Sequence, residues 1–143
     1  EYFKTGTTID GQVTEQLLRN IFFKNSPLHD GAMIIRDGRV AAAGCVLPLS
    51  TNPNIPRSLG TRHHAAVGMS ENSDAVVVVV SEETGTISVA TGGILKRYLT
   101  AETLDKLLHN ELCPTVQEEK QAPVDRVKSM LTGKNKEDEY GKK

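Results

Sequence analysis

Apolar residues recur at helical spacing near the start of the chain. Four of them share one face of a helix predicted over residues 13–23: Leu17, Leu18, Ile21 and Phe22. Thr14 can cap the N-terminus of this helix, and Val13 can pack on Leu18 as a hydrophobic staple. The segment Asn25-Ser26-Pro27 is expected to end it.

Two more helices are predicted farther along the chain. Residues 61–70 have a helix-compatible composition, in which Gly68 is the weak point. Thr100 can cap a third helix over residues 101–112. The inner face of that helix carries Leu104, Leu107, Leu108 and Leu112.

Short apolar runs predict the strands. Residues 32–36 and 39–47 flank the turn signal Asp37-Gly38, which indicates a hairpin. The valine-rich residues 75–81 predict a buried strand, and residues 86–90 predict its returning neighbour. These elements predict the α/β class, with a mixed central β-sheet flanked by helices.

The second predicted strand contains unusually small side chains, Ala41, Ala42, Ala43 and Gly44. We expect a helix or a ligand to come close there. The three prolines of residues 48–59 indicate that a loop follows.

Composition narrows the class of protein. With 143 residues, 38% hydrophobic and 24% charged, the chain fits one globular domain. A net charge of −1, 4% aromatic residues and no tryptophan argue against a nucleic-acid polymer as partner. Two cysteines are too few for a disulfide framework, so reduced thiols are expected. No run approaches the roughly 20 apolar residues of a membrane helix.

The character of the chain changes at Pro114. We therefore expect one folded domain over residues 1–114 and a charged tail over residues 115–143. Val124, Val127 and Leu131 could form one short amphipathic helix in that tail, with disorder after it.

The segment His29-Asp30-Gly31-Ala32 places an imidazole beside a carboxylate at the start of a predicted strand. A carboxylate is a hard ligand for magnesium or manganese, and imidazole suits manganese. Asp30 could also accept a proton from a sugar hydroxyl, while Gly31 and Ala32 leave space for the ligand. The alternative is an aspartate that only shapes a turn.

The segment Thr61-Arg62-His63-His64 is a candidate phosphate site. If Thr61 caps a helix, free N–H groups point outward where the helix dipole is positive. Arg62 adds forked donors that match phosphate oxygens. The alternative is a helix start with a solvated arginine, and one of the two histidines is expected to be structural.

Two further positions lie at predicted strand ends. Ser81 could donate to phosphate, and Glu82 or Glu83 could help hold a metal or a ribose. Leu47 with Pro48 could form an apolar shelf for a base. The alternatives are a charged turn and plain edge packing. The common glycine-rich phosphate loops are absent from the sequence, so any nucleotide is held by another scheme.

Four ordered motifs resemble the diadenylate cyclase (DAC) domain, in particular its bacterial membrane-anchored type. The motifs are Leu28-His29-Asp30-Gly31-Ala32, Leu47-Pro48-Leu49-Ser50, Leu59-Gly60-Thr61-Arg62-His63 and Val80-Ser81-Glu82-Glu83-Thr84-Gly85. The resemblance runs from about Glu1 to about Leu112. The sequence differs from the family pattern in two respects. His64 stands where many relatives have an arginine. The family domain usually has a helix and a strand before a segment like that at Glu1, with membrane helices before those, and the given sequence does not include them.

The resemblance implies a nucleotidyltransferase that condenses two ATP molecules into cyclic di-AMP and two pyrophosphates. It implies catalytic roles for Asp30, Gly31, Ala32, Arg62 and His63. It implies nucleotide contacts by Leu47, Thr61, Arg62, Ser81 and Glu82. His29 and Asp30 would hold a divalent metal, manganese or magnesium, with cobalt as a further candidate.

The resemblance also implies a homodimer, since each ATP must attack the other across a two-fold axis. The parent protein would sit at the cytoplasmic face of a bacterial membrane with protein regulators, while this part is expected to be soluble. Two other functions stay open: a module that senses ATP or cyclic di-AMP without catalysis, and a metal phosphohydrolase.

Overall fold

The computed structural model describes residues 1–113, which begin with a 3-10 helix over Tyr2–Thr5. Residues 1–99 form one unit, and a second unit begins at Thr100. The short helix and disorder expected beyond residue 114 lie outside the described residues. The strands are β1 (Thr7–Gln12), β2 (Ala32–Arg36), β3 (Arg39–Cys45), β4 (Val77–Val80), β5 (Ile87–Thr91) and β6 (Ile94–Leu99), and the helices are α1 (Glu15–Ile21), α2 (Thr61–Glu71) and α3 (Ala101–Leu112).

The strands form two antiparallel sheets, in the orders β1-β3-β2 and β4-β5-β6. Both predicted hairpins are present: Arg36 pairs with Arg39 across the β2–β3 turn, and Val80 pairs with Ile87 between β4 and β5. The α/β class is confirmed. Among residues 1–113, however, the two hairpins do not join into the single mixed sheet that was expected, because each pairs with its own third strand.

Those third strands, β1 and β6, were not predicted. β1 is irregular, since its register against β3 shifts between Thr8 and Gly11 and Asp10 has a φ of 51°. β6 alternates in burial, but apolar residues (Ile94, Tyr98) stand at exposed positions and Arg97 at a half-buried one, so polarity in the sequence does not follow burial. Neither strand therefore carries the alternation that marks a half-buried strand in a sequence.

α1 confirms its predicted start and corrects its predicted face. The Thr14 hydroxyl accepts a hydrogen bond from the Leu17 N–H at 3.2 Å, which satisfies one of the free donors of the first turn. Ile21 is buried against Val40 and the rest of the core beneath the first sheet. Phe22 was expected on this face, but the helix ends at Ile21 and the Phe22 side chain is 51% exposed.

The small residues of β3 allow neighbouring backbone to approach closely. A Cβ on Gly6 would lie 2.4 Å from the Ala43 carbonyl oxygen, and a Cβ on Gly31 would lie 2.7 Å from the Gly44 carbonyl carbon. Gly31 also has a φ of 110°, which side-chain-bearing residues rarely adopt. The backbone that approaches β3 closely is thus the end of the 3-10 helix at Gly6 and the segment at Gly31, and Gly31 has no free space on the side that faces β3.

α2 is held between the second sheet and the loop that precedes it. Val67 is fully buried and packs with Val79 and Ala90. On the loop side, a Cβ on Gly68 would lie 2.1 Å from the Pro48 carbonyl oxygen. The glycine that weakens the helix in isolation is therefore required for the contact between α2 and the loop.

α2 also buries His63, whose side chain is only 5% exposed. Burial lowers the pKa of the His63 imidazole below its usual value of 6.5, and the nearby charges of Arg97 and then His64 lower it further. His63 is therefore neutral in the folded protein at physiological pH.

Both cysteines are free thiols, with Cys45 buried at the end of β3 and Cys113 exposed just after α3. Burial raises the pKa of the Cys45 thiol, although hydrogen bonds involving Gly6 and Thr5 partly offset this effect. The thiolate form of Cys45 is therefore scarce at neutral pH.

α3 begins as predicted, because the Thr100 hydroxyl accepts a hydrogen bond from the Thr103 N–H at 3.1 Å. Leu104, Leu107 and Leu108 are half-buried, as expected for an inner face. Leu112 was expected beside them but is 63% exposed. No helix within residues 1–113 has the length and apolar character required to cross a membrane.

We expect Gly68→Ala to lower the free energy of unfolding by about 1–3 kcal/mol, because the new methyl group would overlap the Pro48 carbonyl. Helix propensity alone would give the opposite sign, a gain of about 1 kcal/mol. Urea denaturation measures the difference. Gly60→Ala is the control, since its added Cβ meets no atom within 4 Å. A Gly68→Ala protein as stable as the parent would contradict the close contact.

We expect the free energy of unfolding to fall as the pH drops below about 6.5, in part through His63. The unfolded chain binds a proton at His63 more readily than the folded chain does. The contribution of neutral His63 to stability is therefore complete above pH 6.5 and is lost as the pH falls toward the lower pKa of the folded state. His63→Gln should make the pH dependence shallower than in the parent protein. Denaturation midpoints at several pH values test this, and an unchanged slope in His63→Gln would rule His63 out.

Candidate nucleotide-binding site

A cleft of about 480 Å³ opens on the surface of the unit formed by residues 1–99. Its volume lies in the range of small-molecule sites. Three separate segments line it: the connection after α1, the first turn of α2 and the turn after β4. The lining side chains are Phe22, Lys24, His29, Arg62 and Glu82. The structure therefore brings together three predicted site residues that are far apart in the sequence.

The orientation of His29 is set by the backbone of Ser26. The Ser26 carbonyl oxygen lies 2.8 Å from His29 Nδ1 and also accepts the His29 N–H at 3.2 Å. Because a carbonyl oxygen can only accept, Nδ1 must carry the proton. The neutral ring then presents its Nε2 lone pair, as a metal-binding imidazole does.

Asp30 follows His29 directly, at an exposed position just before β2. Its carboxylate makes no ion pair with any residue in the range 1–113. The described residues contain no cluster of three or more His, Cys, Asp or Glu side chains that could hold a metal ion. His29 and Asp30 are two adjacent side chains of types that bind divalent cations, fewer than a site built from protein ligands alone would need.

Gly31 and Ala32 shape the backbone beside this pair. Gly31 lies against Gly44, as described above, and Ala32 pairs with Cys45 at the start of β2. Both residues hold the His29-Asp30 segment against β3. Their predicted catalytic roles stay predictions.

The first turn of α2 differs by one residue from the expectation. Gly60, rather than Thr61, is the N-cap, and it provides no side-chain hydrogen bond. The N–H groups of His63 and His64 both reach the Gly60 carbonyl oxygen, at 3.1 and 3.3 Å. The N–H groups of Thr61 and Arg62 have no acceptor within the described residues, so two donors remain at the positive end of the helix.

Arg62 is paired with Glu82 across the cleft. Both side chains keep contact with solvent, with 41% of Arg62 and 67% of Glu82 exposed. An exposed pair of this kind is weak in water. An anionic ligand can therefore compete with the Glu82 carboxylate for the guanidinium.

The other predicted site residues lie outside the lining of the cleft. His63 is buried, and the His64 backbone carbonyl oxygen accepts the Ser50 N–H at 2.9 Å, which ties the first turn of α2 to the preceding loop. Leu47 is half-buried. The Ser81 hydroxyl accepts the Thr84 N–H at 3.3 Å within the turn, and it retains its own proton for a ligand.

Phe22 and Lys24 are cleft residues that the sequence analysis missed. Both lie in the connection after α1, where residues two apart project into the same cleft. The available signal was an aromatic and a cationic side chain directly before the His29-Asp30 segment. Because the helix was predicted to extend to residue 23, Phe22 was assigned to its apolar face and was not considered as a cleft residue.

Comparisons with known proteins identify the family of this chain. The family model described as DisA bacterial checkpoint controller nucleotide-binding (DAC) matches residues 1–95. The cyclic di-AMP synthase CdaA of Bacillus subtilis is 51% identical over 111 residues, which are 78% of this chain and 41% of that protein. A diadenylate cyclase of Listeria monocytogenes is 49% identical over 112 residues, again 78% of this chain and 41% of that protein.

The fold is also similar to that of a solved structure. The crystal structure of a double mutant of DacA from Staphylococcus aureus matches with a TM-score of 0.75 and 52% identity, over 77% of this chain and 73% of that one. The chain spans well under half the length of the two curated relatives, 41% in each case. The resemblance to the diadenylate cyclase domain is confirmed, and this chain belongs to the DAC family.

Proposed function

We propose that this chain is the catalytic domain of a diadenylate cyclase, which converts two ATP molecules into cyclic di-AMP and two pyrophosphates. One observation carries the proposal: His29, Arg62 and Glu82 converge on a single cleft from three segments of the chain. A metal-binding imidazole and a phosphate-binding guanidinium in one cleft suit a metal-bound nucleoside triphosphate. The names of the similar proteins support this activity.

The reaction needs positioning and charge more than covalent help from the protein. The 3′-oxygen of one ATP attacks the α-phosphorus of the other, and pyrophosphate leaves from the opposite side. Asp30 accepts the proton of the attacking hydroxyl, which its exposed and unpaired carboxylate can do. Arg62 stabilises the charge that develops on the departing phosphates.

A divalent cation would be held by His29 Nε2 and the Asp30 carboxylate, with manganese, magnesium or cobalt as the candidates. When bound, it would polarise phosphate oxygens and offset their negative charge. The hydrogen bond from His29 Nδ1 to the Ser26 carbonyl supports this assignment, because it fixes the tautomer that a ligand needs.

The remaining nucleotide contacts follow from the motifs. Thr61 supplies an N–H at the positive end of α2, and Ser81 supplies a hydroxyl donor at the turn after β4. Glu82 leaves Arg62 when phosphate arrives and becomes free to contact ribose or metal. Leu47 remains the predicted apolar contact for adenine, and His63 acts by supporting Arg62 from the buried side of α2.

Two copies of the domain are needed for turnover. One cleft holds one ATP, and each 3′-oxygen must reach the α-phosphorus of the other nucleotide. A two-fold axis between facing clefts satisfies this need for both halves of the reaction. We also propose that the parent protein is anchored at the cytoplasmic face of a bacterial membrane and meets protein regulators there, as the family resemblance implies.

Incubation with ATP and manganese tests the proposed activity. We expect cyclic di-AMP and pyrophosphate in a 1:2 ratio, separated by ion-exchange chromatography, and no product when the cation is chelated. ATP binding without any product would instead indicate a sensing module. Release of ADP or AMP without a dinucleotide would indicate a phosphohydrolase.

We expect Asp30→Asn to reduce cyclic di-AMP formation at least about 100-fold while ATP still binds, because the amide cannot accept the hydroxyl proton. Initial rates and equilibrium ATP binding measure the two effects separately. Asp37→Asn is the matched control, an exposed aspartate in the β2–β3 turn. Full turnover by Asp30→Asn would remove this carboxylate from the mechanism.

A further inference from the structure

Lys24 occupies a fixed position in the wall of the cleft. α1 ends at Ile21, and the Phe22 N–H bonds the Leu18 carbonyl at 3.0 Å. The next turn is closed by the Ser26 N–H, which donates to the Phe23 carbonyl at 2.8 Å. Lys24 lies inside that turn, so its backbone is held at both ends.

The turn that carries Lys24 is also the turn that orients His29. The Ser26 carbonyl accepts both the N–H and the Nδ1 proton of His29. A cationic side chain and the candidate metal-binding imidazole are thus attached to one hydrogen-bonded segment. Both side chains line the same cleft.

The charges in the cleft are not equivalent. The Arg62 guanidinium is engaged by Glu82, whereas Lys24 has no carboxylate within 4.0 Å among residues 1–113. Among the described residues that line the cleft, Arg62 and Lys24 carry full positive charges, and Lys24 is the one with no carboxylate partner within residues 1–113. A triphosphate that enters the cleft meets this charge without first displacing another group.

From this arrangement we infer that Lys24 binds phosphate oxygens of the nucleotide, as a second cation beside Arg62. The inference rests on the proposed function, since it takes ATP to be the occupant of the cleft. A triphosphate carries more negative charge than one guanidinium can balance. A lysine ammonium is a mobile point charge that suits this task without a fixed geometry.

The test compares three ligands with the full chain in the presence of magnesium. They are α,β-methylene ATP, which cannot release pyrophosphate, inorganic pyrophosphate, and adenosine, which has no phosphate. We expect Lys24→Gln to weaken binding of the first two on the order of 5-fold, as for one charged contact at an exposed site, and to leave adenosine unchanged. Isothermal titration calorimetry measures all three.

Two further variants separate charge from structure. Lys24→Arg should restore the affinity for both phosphate ligands, because the charge is kept. Lys96→Gln is the matched control, an exposed lysine on β6 that does not line the cleft, and it should bind all three ligands as the parent does. The difference between Lys24→Gln and the parent should also shrink at high salt. Arg62→Ala should weaken phosphate binding more than Lys24→Gln.

Other results would overturn the inference. Equal affinities of Lys24→Gln and Lys96→Gln for pyrophosphate would show that Lys24 is only solvated, while the proposed function would stand. A loss of adenosine binding in Lys24→Gln would show a structural effect in place of a charge effect. Failure of the unsubstituted chain to bind α,β-methylene ATP would contradict both this inference and the proposed function.

Discussion

The position of Arg62 depends on a contact that only glycine permits. α2 is fixed between the second sheet, where Val67 is buried, and the loop at Pro48, which touches the helix at Gly68. A larger residue at Gly68 would collide with the Pro48 carbonyl, so that the helix and the loop could not keep their present contact. The turn that presents Arg62 to the cleft is therefore set by packing two turns farther along the same helix.

The cleft combines a strongly oriented group with a weakly held one. His29 is fixed by two hydrogen bonds to one carbonyl oxygen, which decides its tautomer before any ligand arrives. Arg62 is held by an exposed carboxylate, Glu82, that a phosphate can replace. The cleft therefore contains one imidazole with a fixed orientation and one guanidinium whose ion pair is open to exchange.

Much of the fold follows from local sequence signals, because those signals act between near neighbours. The caps at Thr14 and Thr100 and the two hairpins were predicted correctly. His29 and Arg62 line one cleft, whereas Asp30, the acid expected to converge with Arg62, is not among the lining residues. β1 and β6 were missed because a register shift and an exposed apolar face remove their alternation. The close approach of Gly31 to Gly44 could not be predicted, since it joins two segments that only the fold brings together.

The burial of Cys45 has a practical consequence. Electrophilic labels react with thiolates, and burial both raises the pKa of this thiol and shields its sulfur from solvent. Cys113, exposed at the end of α3, is then the preferred attachment point for a fluorophore or a spin label. The natural sequence thus permits single-site attachment of a spectroscopic reporter without engineered cysteines, and with every residue of the cleft left intact.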